Sequence, residues 1–198
     1  MPLDQIHSPI PGFETLRKLD IDCPIQQGLV SDNPDVDALY RLVLPLPQDF
    51  RSDRRVALAK GSWCPFNSQN TTWWREVAAL LYLPAYCSFR MTDIWRSFVA
   101  QRISWVNDWA ILFHEPTLRH DRNTHNLLRD FEGEVPGYLH NRSIGEALDH
   151  LNILPGVDHL GDNLKLCYEE LVRLKLVGEQ ELGLLDAWLN DIDLISQQ

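Results

Sequence analysis

Glycine-rich phosphate loops, paired-cysteine metal knuckles and long apolar runs are all missing from this chain of 198 residues. The cysteines, Cys23, Cys64, Cys87 and Cys167, lie far apart with no C-x-x-C pair, so neither a zinc knuckle nor a disulfide framework is implied. Isolated buried thiols in a reducing compartment fit that scatter. No apolar run reaches the length of a membrane span, and the opening Met-Pro-Leu-Asp-Gln has no signal-peptide character. A cytoplasmic location without a membrane span is the expectation. Basic residues are the scarcer sign, 18 Lys and Arg against 28 Asp and Glu, for a net charge of −10. That balance excludes wholesale binding to nucleic acid or an anionic membrane and leaves room only for a local basic pocket. No G-x-S-x-G elbow and no H-E-x-x-H helix occurs, so esterase and zinc-protease chemistry lack their signatures.

What is present is a globular composition, 44% hydrophobic and 23% charged, with seven Trp and five Tyr. The stretch Gly61–Trp74 organises the rest. Val56–Ala59 before it reads as a short buried strand, and Trp73–Tyr82 after it carries apolar residues at helical spacing. Between them lie Asn67 and Asn70 with Ser68, Thr71 and Thr72. Any one of these is explained as a helix N-cap. Two carboxamides three residues apart among indoles exceed what capping needs, and such a turn suits a hydroxyl-bearing ligand.

Residues 1 to 30 carry scattered prolines and little periodicity, which predicts loop with at most a short strand near Ile21. Ser31, Asp32 or Asn33 then caps a helix with Pro34 at its first position, and Asp35 and Asp37 fall in the dipole-favoured first turn. Ser88–Trp105 predicts a long helix whose buried stripe includes Trp95, Phe98, Val99, Arg102 and Ile103. Asp93 and Arg96 are neighbours on one face of it. Arg102 sits on the apolar stripe, where a guanidinium needs a carboxylate or a bound anion. Trp109–Phe113 is a second strand, followed by a loop crowded with His114, Arg119, His120, Asp121, Arg122 and His125 at the strand's end, where ligands of open α/β sheets sit. For the histidines an ordinary polar loop outweighs a metal set; for Arg119 and Arg122 an anion subsite is favoured. A short helix from His125 ends at Pro136-Gly137. From Ser143 onward three amphipathic helices follow, the second capped by Asp162 or Asn163, with no chemistry in them.

At Gln26-Gln-Gly-Leu-Val-Ser-Asp-Asn-Pro-Asp-Val-Asp37, at Pro65-Phe-Asn-Ser-Gln-Asn-Thr71, and on through Leu83-Pro84, Asp93-x-x-Arg96, Gln101-Arg102 and Arg119-x-Asp-Arg122, the chain resembles the STELLO family of glycosyltransferases. The likeness covers roughly residues 25–140. It implies an α/β fold with a partial GT-A-like, Rossmann-like sheet, flanking helices and a helical C-terminal tail, divided as a transferase domain over 1–140 and an extension over 141–198. It implies a nucleotide-sugar donor, used with Mn2+ or Mg2+, and a glycan or other hydroxyl acceptor. In plants such proteins are Golgi-associated and assist polysaccharide synthesis. Asp93 falls where inverting GT-A enzymes carry the carboxylate that deprotonates the acceptor. Asn67, Asn70 and Trp73 would line the sugar pocket, Arg96, Arg102, Arg119 or Arg122 would offset the leaving diphosphate beside Asp121, and His120 or His114 would serve as a late metal ligand. The family's Asp-x-Asp region belongs upstream of position 25, where this chain has few, weakly patterned residues. That departure implies the C-terminal part of a longer or split enzyme, in the latter case with a second polypeptide supplying the donor-binding half, or a module that binds carbohydrate or a protein partner without catalysis.

Overall fold

The computed structural model describes residue 7, residues 9–121 and residues 123–196. Among them, four strands, β1 (Ile25–Asp32), β2 (Val56–Leu58), β3 (Thr71–Trp73) and β4 (Ile111–His120), form one sheet in the order β2-β4-β1-β3. The two central strands run parallel, Ile25 opposite Ile111, while β3 and β2 flank them antiparallel. Around the sheet lie α1 (Ala38–Val43), α2 (Thr92–Val106), α3 (Leu127–Asp149), α4 (Leu160–Arg173) and α5 (Glu181–Ser196). This mixed α/β architecture is consistent with the expected partial GT-A-like fold.

The central strand β1 replaces the loop expected before residue 30. It begins on Ile25, fully buried, and buries Gln27, Gly28, Val30 and Ser31 along its length. Two glutamines, a glycine and a serine give it little strand character of its own; pairing with β4 on one side and β3 on the other supplies it. The cap of α1 is accordingly later than expected, at Asp37, whose side chain accepts from Tyr40 N at 2.8 Å. β2 is a half-buried edge strand rather than a buried one, and Trp73–Tyr82 divides into the end of β3 and a 3-10 helix over Arg75–Leu81. β4 runs seven residues past Phe113, taking in His114, Arg119 and His120. Its Pro116 falls where the β1–β4 register shifts between Gly28 and Val30, a bulge where a residue without an N–H is tolerated.

α2 is buried on nearly every side, including Trp95, Arg96, Ser97, Phe98, Gln101 and Ser104. α3 continues through Pro136, where two separate helices were expected, and runs unbroken through residues 140 and 141. α4 begins at Leu160 with His159 at the cap; Asn163 instead bridges Leu154 through its N–H and C=O. Residues of the sheet (Ile25, Ile111), of α2 (Trp95, Phe98) and of the tail (Leu148, Tyr168, Leu185) belong to one hydrophobic core.

Candidate functional site

A segment of extended chain lies along α2 and is held by one row of its side chains. Gln101 Oε1 accepts from Cys64 N at 2.9 Å, Ser97 Oγ from Phe66 N at 3.1 Å, and Asp93 Oδ2 from Ser68 N at 2.9 Å. The acceptors are four residues apart on a helix and the donors two apart on an extended chain, so the two periods match and register the loop against the helix. Arg96 adds Nη2 to Ser68 Oγ at 3.0 Å, so the pair Asp93 and Arg96 grips Ser68 by its backbone and its hydroxyl.

The turn that follows is tied down just as fully. Asn67 accepts from Gln69 N and donates to Asp35 O at 3.0 Å. Asn70 Nδ2 donates to Leu29 O at 3.1 Å and to Thr117 Oγ1 at 2.9 Å, the latter from the bulge of β4. Gln69 Oε1 accepts from Asp35 N at 2.9 Å. The amides are therefore first of all the rivets of this turn.

Beside it lie two adjoining cavities, one against the middle of β1 (Gln27 to Val30) and Phe113 of β4, the other against the carboxyl end of β4. The inner one, about 500 Å³, has Phe66, Asn67, Phe89, Asp93, Glu134 and Asn141 in its wall. The outer, about 590 Å³ and more open, has Arg119, His120, Asn123 and His125. Asp35, Gln69, Arg90 and Asp93 belong to both. Among the described residues, the inner wall carries four carboxylates, Asp35, Asp37, Asp93 and Glu134, and one guanidinium, Arg90, which is ion-paired with Asp130. The outer wall shares Asp35, Asp93 and Arg90 and adds Arg119 and two histidines, so the excess of carboxylates is confined to the inner cavity. Burial raises the Glu134 carboxyl above its ordinary value, against the opposing pull of its bonds from Ala38 N and Tyr138; the Tyr138 phenol is pushed up as well, by burial first and Glu134 second.

The structure brings Asn67, Asp93, Arg119 and His120 to this cleft and leaves other candidates outside it. Arg96 is 4% exposed and packs its guanidinium 4.9 Å from the Trp73 ring, behind the loop; neither lines a cavity. Burial holds the Arg96 guanidinium below its ordinary value despite nearby Asp93. Arg102 needs no anion: Nε and Nη2 donate to the carbonyls of Leu148 and Leu151 at 2.9 and 2.7 Å, at the C-terminal end of α3. Asn70 lines neither cavity, Asp121 is exposed and likewise lines neither, and Arg122 lies outside the described residues. Arg119 is 74% exposed and pairs with Asp32 at 3.1 Å, a surface contact of small energetic worth. His120 Nδ1 meets Gln69 Nε2 at 2.8 Å and Asn33 O at 3.1 Å. Among the described residues no three His, Cys, Asp or Glu side chains converge, around His120 or elsewhere. Glu134, Tyr138 and Asn141 were not foreseen from sequence, because a helix ending at Pro136 places them on no common face.

The sequence model of the family described as STELLO glycosyltransferases matches residues 90–198. The chain belongs to the STELLO glycosyltransferase family. Over 105 residues it is 35% identical to "Probable glycosyltransferase STELLO2" and 33% identical to "Probable glycosyltransferase STELLO1", both of Arabidopsis thaliana. Each alignment takes in 50% of this chain and 14% of the relative's own length. The STELLO match covers Asp93 to Arg122 of the sequence resemblance and continues through Glu134, Asn141 and the helical tail, while the motifs at 26–37, 65–71 and 83–84 lie outside it. No helix among the described residues is long and apolar enough to cross a membrane.

Proposed function

We propose that the cleft is the acceptor side of a sugar transferase in which Asp93 takes the proton from the acceptor hydroxyl. The observation that carries this reading is the position of Asp93 on the seam of the two cavities. Its Oδ2 is fixed by Ser68 N at 2.9 Å, and Oδ1 has no hydrogen-bond partner among the described residues. A carboxylate held at one oxygen and open at the other is preorganised to accept a proton. The acceptor oxygen would attack the anomeric carbon of a nucleotide sugar as its proton passes to Asp93. The bond from that carbon to the diphosphate would break, and the leaving anion would face Arg119, His120 and His125. Family membership supports a nucleotide-sugar donor and a glycan acceptor.

The test incubates the purified chain with a panel of nucleotide sugars and Mn2+ or Mg2+, following donor binding and donor consumption. Saturable donor binding that Asp93→Asn retains, with transfer reduced about a hundredfold or more, is the expected outcome. Transfer at the wild-type rate in Asp93→Asn would sink the assignment.

One observation favours a second reading. Asp93 Oδ2 is already the last rung of the α2 ladder, which explains the residue without catalysis. In that case the cleft binds carbohydrate without turning it over: neither protein consumes donor in that assay, and both bind a glycan in a separate titration.

A further inference from the structure

The floor of the inner cavity is one face of α3. Glu134, Gly137 and Asn141 follow at spacings of three and four residues, which stacks them on one side of a helix, and all three line the cavity. Glu134 is 8% exposed and Asn141 5% exposed. Each has committed one polar atom to the fold and holds another in reserve. Glu134 Oε2 accepts from Ala38 N at 2.7 Å and from the Tyr138 hydroxyl at 2.8 Å, while Oε1 has no hydrogen-bond partner among the described residues. Asn141 Oδ1 accepts from the indole Nε1 of Trp95 at 3.1 Å. An indole N–H only donates, so it fixes which way the amide faces and turns Nδ2, with its two donors, away from Trp95. Nδ2 likewise has no partner among the described residues. Between the two, a Cβ on Gly137 would fall 2.4 Å from Met91 Sδ, so the glycine is what lets the Met91 thioether lie against this stretch of the helix.

A free acceptor and a free donor on otherwise buried side chains open into one cavity, and an occupant that donates to the one and accepts from the other satisfies both. A pair of sugar hydroxyls does so, since each hydroxyl both donates and accepts. The charge of the wall selects further: four carboxylates face one guanidinium that Asp130 already neutralises, which opposes an anionic occupant. At the mouth Phe89 is 85% exposed, an apolar ring of the kind that covers the C–H face of a pyranose.

Resting on the transferase reading, we infer that the inner cavity binds its acceptor as an uncharged sugar. Glu134 Oε1 and Asn141 Nδ2 read adjacent hydroxyls, the ring lies against Phe89, and uronic acids and sugar phosphates are turned away.

Saturation-transfer NMR on the full chain with glucose and glucuronate, which share a ring and differ in one charged group, tests this. Glucose should bind saturably and glucuronate about tenfold more weakly or not at all, as like-charge repulsion requires. Glu134→Gln converts the free acceptor into a donor, and Asn141→Asp removes the free donor while keeping the bond from Trp95. Each upsets the donor–acceptor alternation that orients the two hydroxyls, and Glu134→Gln also replaces a charge-assisted bond by a neutral one, so each should weaken glucose several-fold. Phe89→Ala, at an exposed site that folding does not depend on, should weaken glucose several-fold and guards against misfolding of the other two. Glucuronate binding as tightly as glucose, no saturable binding of glucose, or folded variants that bind glucose like the wild type would each overturn the inference. The transfer reading is decided by Asp93→Asn and this one by charge selectivity, so either can fail while the other stands.

Discussion

Gly28 sits where β1 passes beneath the Asn70 amide. A Cβ there would fall 2.3 Å from Asn70 Nδ2 and 2.9 Å from His114 Cε1. The absent side chain is what lets Asn70 bridge Leu29 O and Thr117 Oγ1, and so what lets β1 hold the turn that carries Asn67 and Ser68. Gly28→Ala should therefore displace Asn70 and lower stability by about 1–3 kcal/mol, the usual cost of overpacking, read from the urea midpoint. An unchanged midpoint would mean the turn does not depend on that approach. Glu134 gives a pH-dependent counterpart. Its carboxyl is raised by burial, so the folded state holds its proton to higher pH than the unfolded chain does. The stability this contributes is complete below the ordinary value of 4.5 and is lost as pH rises through the elevated folded value. The stability difference between wild type and Glu134→Gln should thus shift against the wild type as pH rises from 4.5 through the elevated folded value. A difference independent of pH would contradict the assignment.

At the scale of elements, α2 does most of the positioning. Ser97 is its middle rung: fully buried, it accepts from Phe66 N at 3.1 Å and donates to Ile94 O at 2.6 Å. Ser97→Ala leaves a buried backbone N–H with no acceptor, which costs about 1–3 kcal/mol. Amide exchange at Phe66 and Ser68 should accelerate with it, because the loop loses register at both; exchange unchanged at Phe66 would show that the ladder does not hold the loop. This helix was legible in the sequence, since its apolar stripe is long and strongly periodic, and so was the start of β4. β1 was not, because Gln26, Gln27, Gly28 and Ser31 hide a strand whose cause is pairing on both edges rather than propensity. Nor was α3. Pro136 removes one intrahelical hydrogen bond, and the sequence cannot show that packing around the helix, with Ser88 Oγ donating to Gly133 O at 2.5 Å, carries the helix across it. The candidate site divided along the same line: Asp93, on the readable helix, was placed at the cleft, while Glu134 and Asn141, on the unreadable one, were invisible. Arg102 was rightly marked as needing a partner, but helix carbonyls contributed from some fifty residues away are not a pattern any local reading contains.

For the whole molecule, the question is whether the helical tail is an appendage or part of one folding unit. The core runs without a break from Ile25 and Ile111 of the sheet, through α2, to Tyr168 and Leu185. The tail is also tied by a buried charge. Glu181, with no exposed surface, accepts from Ala85 N at 2.9 Å, from Tyr86 N at 2.7 Å and from the Tyr82 hydroxyl, while Trp188 Nε1 donates to Ala79 O at 2.9 Å. These bonds join the first half of α5 to the segment that leads from β3 into α2, so whatever loosens α5 loosens the helix that positions Asp93. Glu181→Ala would remove at once the acceptor of two part-buried backbone N–H groups and of a buried phenol. Its expected cost is about 3 kcal/mol or more, larger than a surface ion pair yields and in the range of a broken buried network. Because the core is shared, that loss should lower the midpoint of a single transition, with tryptophan fluorescence and far-ultraviolet circular dichroism falling together. If instead the variant lost helix in one step and sheet packing in a second, the tail would be a separate unit, and its influence on Asp93 would have to be abandoned.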